Sequence, residues 1–179
     1  MNTSELMAKF CGNQYSDREW LIAPIRDHGF LWATNAEILV CVPDDPNVSA
    51  NDGCPANLIK FHEWFKLAGN FNKINAEAIP KAKRCPSCNG SGMWPAFGDD
   101  PEETCQECNG SGEYKNQEVS VGAQHISRWY LALIASLENA QLSCSSDAPT
   151  APMFFKFEGG WGCVMPIKSR IKSCTATSL

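Results

Sequence analysis

The chain has 179 residues, 44% of them hydrophobic and 20% charged, with a formal net charge of −5 at pH 7. This composition is typical of a globular protein with a sizeable core, and it excludes a disordered chain. The acidic balance, with a pI near 5.2, disfavours a protein whose main task is to coat nucleic acid. We expect neither a signal peptide, because MNTSELMAKFCGN is polar, nor a membrane span, and therefore a cytoplasmic location.

The first eighty residues predict a helix, three strands and a second helix. SELMAKFCG is typical of a short helix with Ser4 as its N-cap, and strand-like runs follow at 20–25, 30–34 and 37–42. Turn-forming residues separate these runs, which indicates an antiparallel meander. ANLIKFHEWFKLAG then places four apolar residues on one helical face: Leu58, Phe61, Phe65 and Ala68.

Residues 81–113 differ sharply in composition from the rest of the chain. They are dense in glycine, cysteine and acids and have no periodic apolar pattern, so they cannot form an ordinary core. Four cysteines form two CxxC pairs with the spacing C-x2-C-x16-C-x2-C: Cys85, Cys88, Cys105 and Cys108. Two such turns can surround one Zn²⁺ with four thiolates at about 2.3 Å each. We predict one structural zinc, because four cysteines close the shell and leave no open position for catalysis.

The remainder of the chain repeats the order of the first part. A strand is predicted at 117–124, then a helix from the cap residue Ser127 to Leu137, then strands at 141–144, 153–157 and 161–166. The chain outside the cysteine segment therefore predicts a helix followed by three strands, given twice.

The cysteine pairs carry a family resemblance. RCPSCNGSG and TCQECNGSG are two CxxCxGxG repeats, and this segment of about thirty residues resembles the cysteine-rich zinc region of the DnaJ co-chaperones. That family has four repeats and two zincs, so the resemblance implies one zinc here. No His-Pro-Asp tripeptide occurs in the chain, so stimulation of an Hsp70 is not implied. A chaperone-like binder of unfolded proteins is one alternative that the resemblance leaves open.

The rest of the chain resembles one domain of the bacterial sliding clamp, the β subunit of the replicative DNA polymerase. The resemblance lies in LIAPIRDHGFLWATNAEILVCV and in WYLALIASLENAQLSCSSDAPTAPMFFKFEGGWGCVMPIKS. It implies an α+β fold with a clamp-like body of two helix-plus-three-strand halves (1–80 and 114–168), a small zinc-knuckle insertion (81–113, the zinc module) and a tail (169–179). Clamps form rings of six such domains around DNA, so a DNA-associated clamp-like oligomer is a second alternative.

Partner-binding residues are predicted at two places. Trp94 and Phe97 lie in the loop between the cysteine pairs, where they either pack on the knuckles or form a protein-binding tip. Met165, Pro166 and Ile167 match the Met-Pro strand beside which clamps bind partner peptides. Two basic clusters, at 73–84 and 168–172, would form a modest nucleic-acid patch if they adjoin.

An enzyme is the least supported class of protein. The sequence has no P-loop, G-x-S-x-G or HExxH motif, and we expect its three histidines at the surface or in turns. We therefore predict a non-enzymatic, zinc-containing adaptor that binds another protein, in phage or bacterial DNA metabolism.

Overall fold

The computed structural model of the chain describes residues 2–12, 16–53, 58–94, 103–144, 148 and 150–167. Within these ranges it has three α-helices: α1 (Thr3–Phe10), α2 (Ile59–Leu67) and α3 (Arg128–Ala135). The strands of the first half are β1 (Ile25–Asp27), β2 (Phe30–Thr34), β3 (Ile38–Pro43), β4 (Asn51–Asp52) and β5 (Asn72–Lys73). Those that follow are β6 (Met93–Trp94), β7 (Glu103–Thr104), β8 (Glu118–Val121), β9 (Gln124–Ser127), β10 (Gln141–Ser143), β11 (Met153–Phe157) and β12 (Gly160–Val164). Over the described ranges, no helix has the length and apolarity needed to cross a membrane.

Eight strands form one sheet in the order β4-β1-β2-β3-β12-β11-β10-β5. Its centre is the antiparallel pair β3 and β12, in which Cys41 lies opposite Trp161 and Ile38 opposite Val164. β1 and β2, which follow α1, lie beyond β3 on one side of this pair. β10 and β11, which follow α3, lie beyond β12 on the other side. The protein is therefore a mixed α/β fold built on one large sheet, while the clamp-like character of its two halves stays a prediction.

The two faces of the sheet are covered by different helices. Alternation along the strands sends one set of side chains to a core that includes Met7 and Phe10 of α1 and Leu131 and Ile134 of α3. The other set meets α2 in a second, aromatic core. There the ring of Phe65 stacks on Trp161 with centroids 4.6 Å apart, as the predicted apolar face of this helix requires.

A glycine in the central strand makes room for an aromatic ring. A Cβ on Gly162 would lie 2.2 Å from the Leu39 carbonyl oxygen and 2.3 Å from Cζ of Phe155 on the neighbouring strand. Since Phe155 is fully buried, the absence of a side chain at Gly162 lets this ring enter the core.

Two strand predictions were wrong. The run 20–25 is a 3₁₀ turn (Glu19–Leu21) followed by β1, which begins only after Pro24. The run 117–124 is not one strand: it contains β8 and the turn of a hairpin, because Gly122 adopts a φ of 60° and the chain turns back as β9.

Of the two predicted helix caps, one is correct and one is wrong. Ser127 caps α3, and its side chain accepts a hydrogen bond from the Trp129 N–H, as predicted. The cap of α1 is Asn2 instead of Ser4. Asn2 forms a reciprocal capping box with Glu5: the side chain of each residue accepts a hydrogen bond from the backbone N–H of the other.

Candidate metal centre

The four predicted zinc ligands converge at one point. Sγ of Cys85 lies 3.9 Å from that of Cys105, and Sγ of Cys88 lies 3.8 Å from that of Cys108. All four sulfur atoms lie within 4.8 Å of one another, and all four residues are buried. A tetrahedral zinc with bonds of about 2.3 Å needs sulfur separations of about 3.8 Å. The cluster therefore has the size and donor set of a structural zinc site.

Each cysteine pair belongs to a turn that we call a knuckle, the first at 85–92 and the second at 105–112. In the first knuckle the Gly92 N–H donates to Cys88 Sγ at 3.2 Å, and in the second the Gly112 N–H donates to Cys108 Sγ at 3.3 Å. Donors that point at sulfur disperse the charge of thiolate ligands. The repeated sequence NGSG thus builds the same sulfur-facing loop twice.

The two knuckles are also joined through their backbones. The Cys85 N–H donates to the Gly112 carbonyl at 2.8 Å, and the Cys105 N–H donates to the Gly92 carbonyl at 2.9 Å. The short pair β6 and β7 continues the contact beyond the second of these bonds. Each knuckle therefore completes the hydrogen bonding of the other.

The cysteines of the cluster differ in the pKa of their thiols. Burial of Cys88 opposes ionisation, but N–H donors from Gly92 and Gly90 outweigh it and lower its pKa to about 6. Burial raises the pKa of Cys108 to about 11, aided by the neighbouring Cys105 sulfur. Because zinc binds thiolates, loading of this cluster near neutral pH would release protons.

A lysine lies beside the second knuckle. In the amide orientation that satisfies both groups, Asn109 Oδ1 accepts from Lys115 Nζ at 3.0 Å, and its Nδ2 donates to the Gln106 carbonyl at 2.9 Å. The same Nζ lies 5.3 Å from the ring centroid of Trp129. Burial lowers the pKa of Lys115, while the charge of the nearby Cys108 opposes that shift. An ammonium here would partly offset the negative charge of a four-thiolate site.

Segments on either side of the two knuckles, 80–84 and 113–117, lie together and are named the stems. The Tyr114 N–H donates to the Lys83 carbonyl at 2.8 Å. Arg128 at the start of α3 holds both stems, through Nε to the Pro80 carbonyl at 2.9 Å and Nη1 to Glu113 Oε2 at 3.0 Å. The buried side chain of Gln117 accepts from the Lys83 N–H at 2.9 Å and donates to the Lys81 carbonyl at 3.2 Å.

The predicted partner-binding residues lie in different settings. Trp94 is 39% exposed and pairs with Glu103 in the short β6–β7 ladder, so it adjoins the candidate metal site and also reaches the surface. Phe97 lies outside the described residues. Met165, Pro166 and Ile167 line a cavity of about 840 Å³ between the second knuckle and the sheet, and Met165 is 43% exposed.

The same cavity contains polar residues that sequence reasoning missed. The Tyr130 hydroxyl donates to Glu37 Oε2 and accepts from Asn35 Nδ2, the latter at 3.0 Å. Burial of Tyr130, together with this carboxylate, raises its pKa above the ordinary value. No spacing rule relates residues 93 positions apart, so only the fold could bring Tyr130 and Glu37 together.

Two further predictions concern charged and titratable groups. The cluster at 73–84 is exposed, but its proposed neighbour at 168–172 lies outside the described residues. His62 is half-buried, and its ring lies beside the aromatic core, 5.4 Å from Phe30 and 5.5 Å from Trp161.

Comparison of the chain with protein-family models, with curated proteins and with solved structures finds no match. The DnaJ and sliding-clamp resemblances therefore rest on the sequence motifs alone.

Proposed function

We propose that the protein is a non-enzymatic adaptor in which one structural Zn²⁺ holds the module together and the surface around the module binds another protein. The observation that carries the proposal is the convergence of four buried sulfur atoms at zinc-compatible distances. A closed four-cysteine shell favours a structural role for the metal. The setting in phage or bacterial DNA metabolism rests on the clamp resemblance alone.

Two features support binding near the module. Trp94 and Met165 are large apolar side chains that remain exposed, and such residues are frequent anchors at protein interfaces. The cavity beside Met165 offers a concave surface with several convergent polar groups. Trp94 lies in the zinc module and the cavity is lined in part by the second knuckle, so loss of the metal would disturb both.

Native mass spectrometry tests the zinc site. We expect one zinc per chain in the wild type, none after treatment with a chelator, and none in Cys85→Ser or Cys108→Ser. The half-buried lone cysteine Cys144 supplies the matched control, since Cys144→Ser should keep the metal. Retention of zinc by Cys85→Ser would contradict the site.

Site-specific photocrosslinking tests the adaptor role. Benzoylphenylalanine placed at Trp94 or Met165 should crosslink one discrete partner in bacterial extract, while the same group at the exposed Glu63 of α2 should not. The same adduct at all three positions would contradict a binding surface beside the module.

A clamp-like DNA-associated oligomer is the second candidate, and one observation favours it. Helices α1 and α3 pack on the same face of a sheet whose two halves mirror each other in strand order. Charge argues against it, because α1 carries Lys9 with Glu5, and the single cation of α3, Arg128, is paired with Glu113. A six-copy assembly whose DNA affinity falls steeply with salt would establish this alternative over the adaptor.

A further inference from the structure

The hairpin β8–β9 stands apart from the large sheet as a pair of strands. Its two-residue turn closes on Val121 and Gln124, and Val119 lies opposite Ile126. A two-residue turn closes with a hydrogen-bonded pair, and such pairs alternate along an antiparallel ladder. The N–H and C=O groups of Glu118 and Ser120 therefore point away from β9.

The two outer edges of the hairpin are not equivalent. On the β9 side, the Ile167 N–H donates to the His125 carbonyl at 2.8 Å, so the end of the described chain covers that edge. On the β8 side, the backbone groups of Glu118 and Ser120 have no hydrogen-bond partner within the described ranges. Open edges of this kind pair readily with another extended chain.

Two cavities of different chemistry lie along this open edge. Val119, Ser120 and Val121 line a cavity of about 220 Å³, whose other walls include the side chains of Ile74, Ile79, Leu131 and Leu142. Glu118 lines the larger cavity beside the second knuckle. An extended chain paired with β8 would pass from an apolar cavity at one end to a polar one at the other.

The charge of the larger cavity indicates which partner fits. Its lining includes three carboxylates, Glu37, Glu107 and Glu118, against one ammonium, Lys115. An acidic lining favours a basic side chain and disfavours a second copy of a chain whose net charge is −5.

We propose that β8 is a docking edge for an extended peptide of a partner protein, which adds a third strand to the hairpin. Its main chain bonds to Glu118 and Ser120, an apolar side chain fills the smaller cavity, and a lysine or arginine enters the larger one. This inference deepens the proposed adaptor function and rests on it.

The test uses the full zinc-loaded chain and a phage-displayed library of random octapeptides. We expect enrichment of peptides with β-branched or aliphatic residues at alternate positions and a basic residue at one end. The strongest of them is synthesised with fluorescein, and its Kd is measured by anisotropy against wild type and variants.

Ser120→Pro is the decisive variant. Proline removes the outward N–H without touching a backbone hydrogen bond between β8 and β9, and edge strands tolerate it. It also removes the hydrogen bond between Ser120 Oγ and His125 Nδ1, which are 3.3 Å apart. We expect Ser120→Pro to weaken the peptide at least tenfold, while Ser120→Ala, which loses the same hydroxyl but keeps the N–H, leaves the Kd within twofold. Glu118→Lys should weaken it several-fold, whereas Glu63→Lys, the same charge change on α2, should not. Unchanged zinc content and melting temperature establish that each variant is folded.

Several outcomes would overturn the docking edge. The first is that no peptide is enriched, and the second is that Ser120→Pro leaves the Kd of the enriched peptide unchanged. The third is a homodimer of the wild type that Ser120→Pro dissociates, because the occupant of the edge would then be a second copy of the chain. The adaptor proposal fails separately, if photocrosslinking at Trp94 and Met165 captures no discrete partner.

Discussion

Gly92 and Gly112 are the points at which one knuckle touches the other. Their φ angles are 80° and 72°, in the left-handed region that favours glycine. A Cβ on Gly92 would lie 2.3 Å from the Gly110 carbonyl oxygen, and one on Gly112 would lie 2.4 Å from that of Gly90. In both cases the added Cβ would meet a backbone carbonyl oxygen, so no side-chain rotation could relieve the clash.

We expect Gly92→Ala to separate the knuckles and abolish stable zinc binding. The control is Gly159→Ala, since Gly159 has a φ of 88° but nothing within 4 Å of its Cβ position. That control bears only the left-handed strain of about 1–2 kcal/mol. Zinc content by native mass spectrometry separates the two variants, and equal retention of zinc would contradict the steric account.

The lone cysteines of the aromatic core differ from the ligand cysteines in their chemistry. Cys41 and Cys163 are buried beside Trp161 and Phe154. Burial raises the pKa of Cys163 to about 12 and raises that of Cys41 further above its ordinary value. They act as small hydrophobic residues, as is usual for buried thiols.

Native alkylation checks this difference. Because the thiolate is the nucleophile and a raised pKa keeps the thiol protonated, iodoacetamide at pH 8 should leave Cys41 and Cys163 unmodified in the folded protein. Both should react fully after denaturation, with peptide mass spectrometry as the readout. Rapid modification of Cys163 in the folded state would show that this core opens.

At the scale of elements, α3 connects the module to the sheet. Its cap Ser127 donates to the Lys115 carbonyl, and Arg128 binds one group on each stem. The guanidinium forms these two bonds from separate nitrogen atoms, which a lysine ammonium cannot reproduce in the same geometry.

Arg128→Lys should therefore loosen the stems while the zinc stays bound. Hydrogen–deuterium exchange should rise at 80–84 and 113–117, with the zinc content unchanged. Arg26→Lys is the matched control, because Arg26 bonds Asp44 and the Asp45 and Val48 carbonyls and should affect only that loop. Exchange that rises equally across the sheet would mean that Arg128 stabilises the whole fold.

At the scale of the whole molecule, the zinc module and the sheet have separate cores. The sheet has two clusters of buried apolar residues, whereas the buried cluster of the module consists of its four cysteines. Among the described residues of the module no other apolar side chain is buried, so we expect this segment to need a metal to fold.

Chelation should consequently unfold one part of the protein and spare the other. After zinc removal we expect fast hydrogen exchange within 85–94 and 103–112, while strands β3, β11 and β12 keep their protection. Collapse of the sheet on chelation would show that the two parts fold as one unit.

Local patterns in the sequence predicted the zinc ligands, the Ser127 cap, strands such as 153–157 and the apolar face of α2. Each depends on residues close together in the chain, where spacing determines geometry. The β8–β9 hairpin was missed because valine and serine alternate up to Gly122, and alternation alone does not reveal a reversal of the chain.

Only the tertiary structure decided which face each helix covers, which strands meet and which surfaces remain open. It placed α2 opposite α1 and α3, brought Glu37 to Tyr130, and left the β8 edge beside two cavities. These relations join residues far apart in the chain, and they are set by the packing of both sheet faces at once. The sequence by itself therefore determined the four cysteines of the candidate metal site, whereas the fold decided which strand edges and cavities lie open.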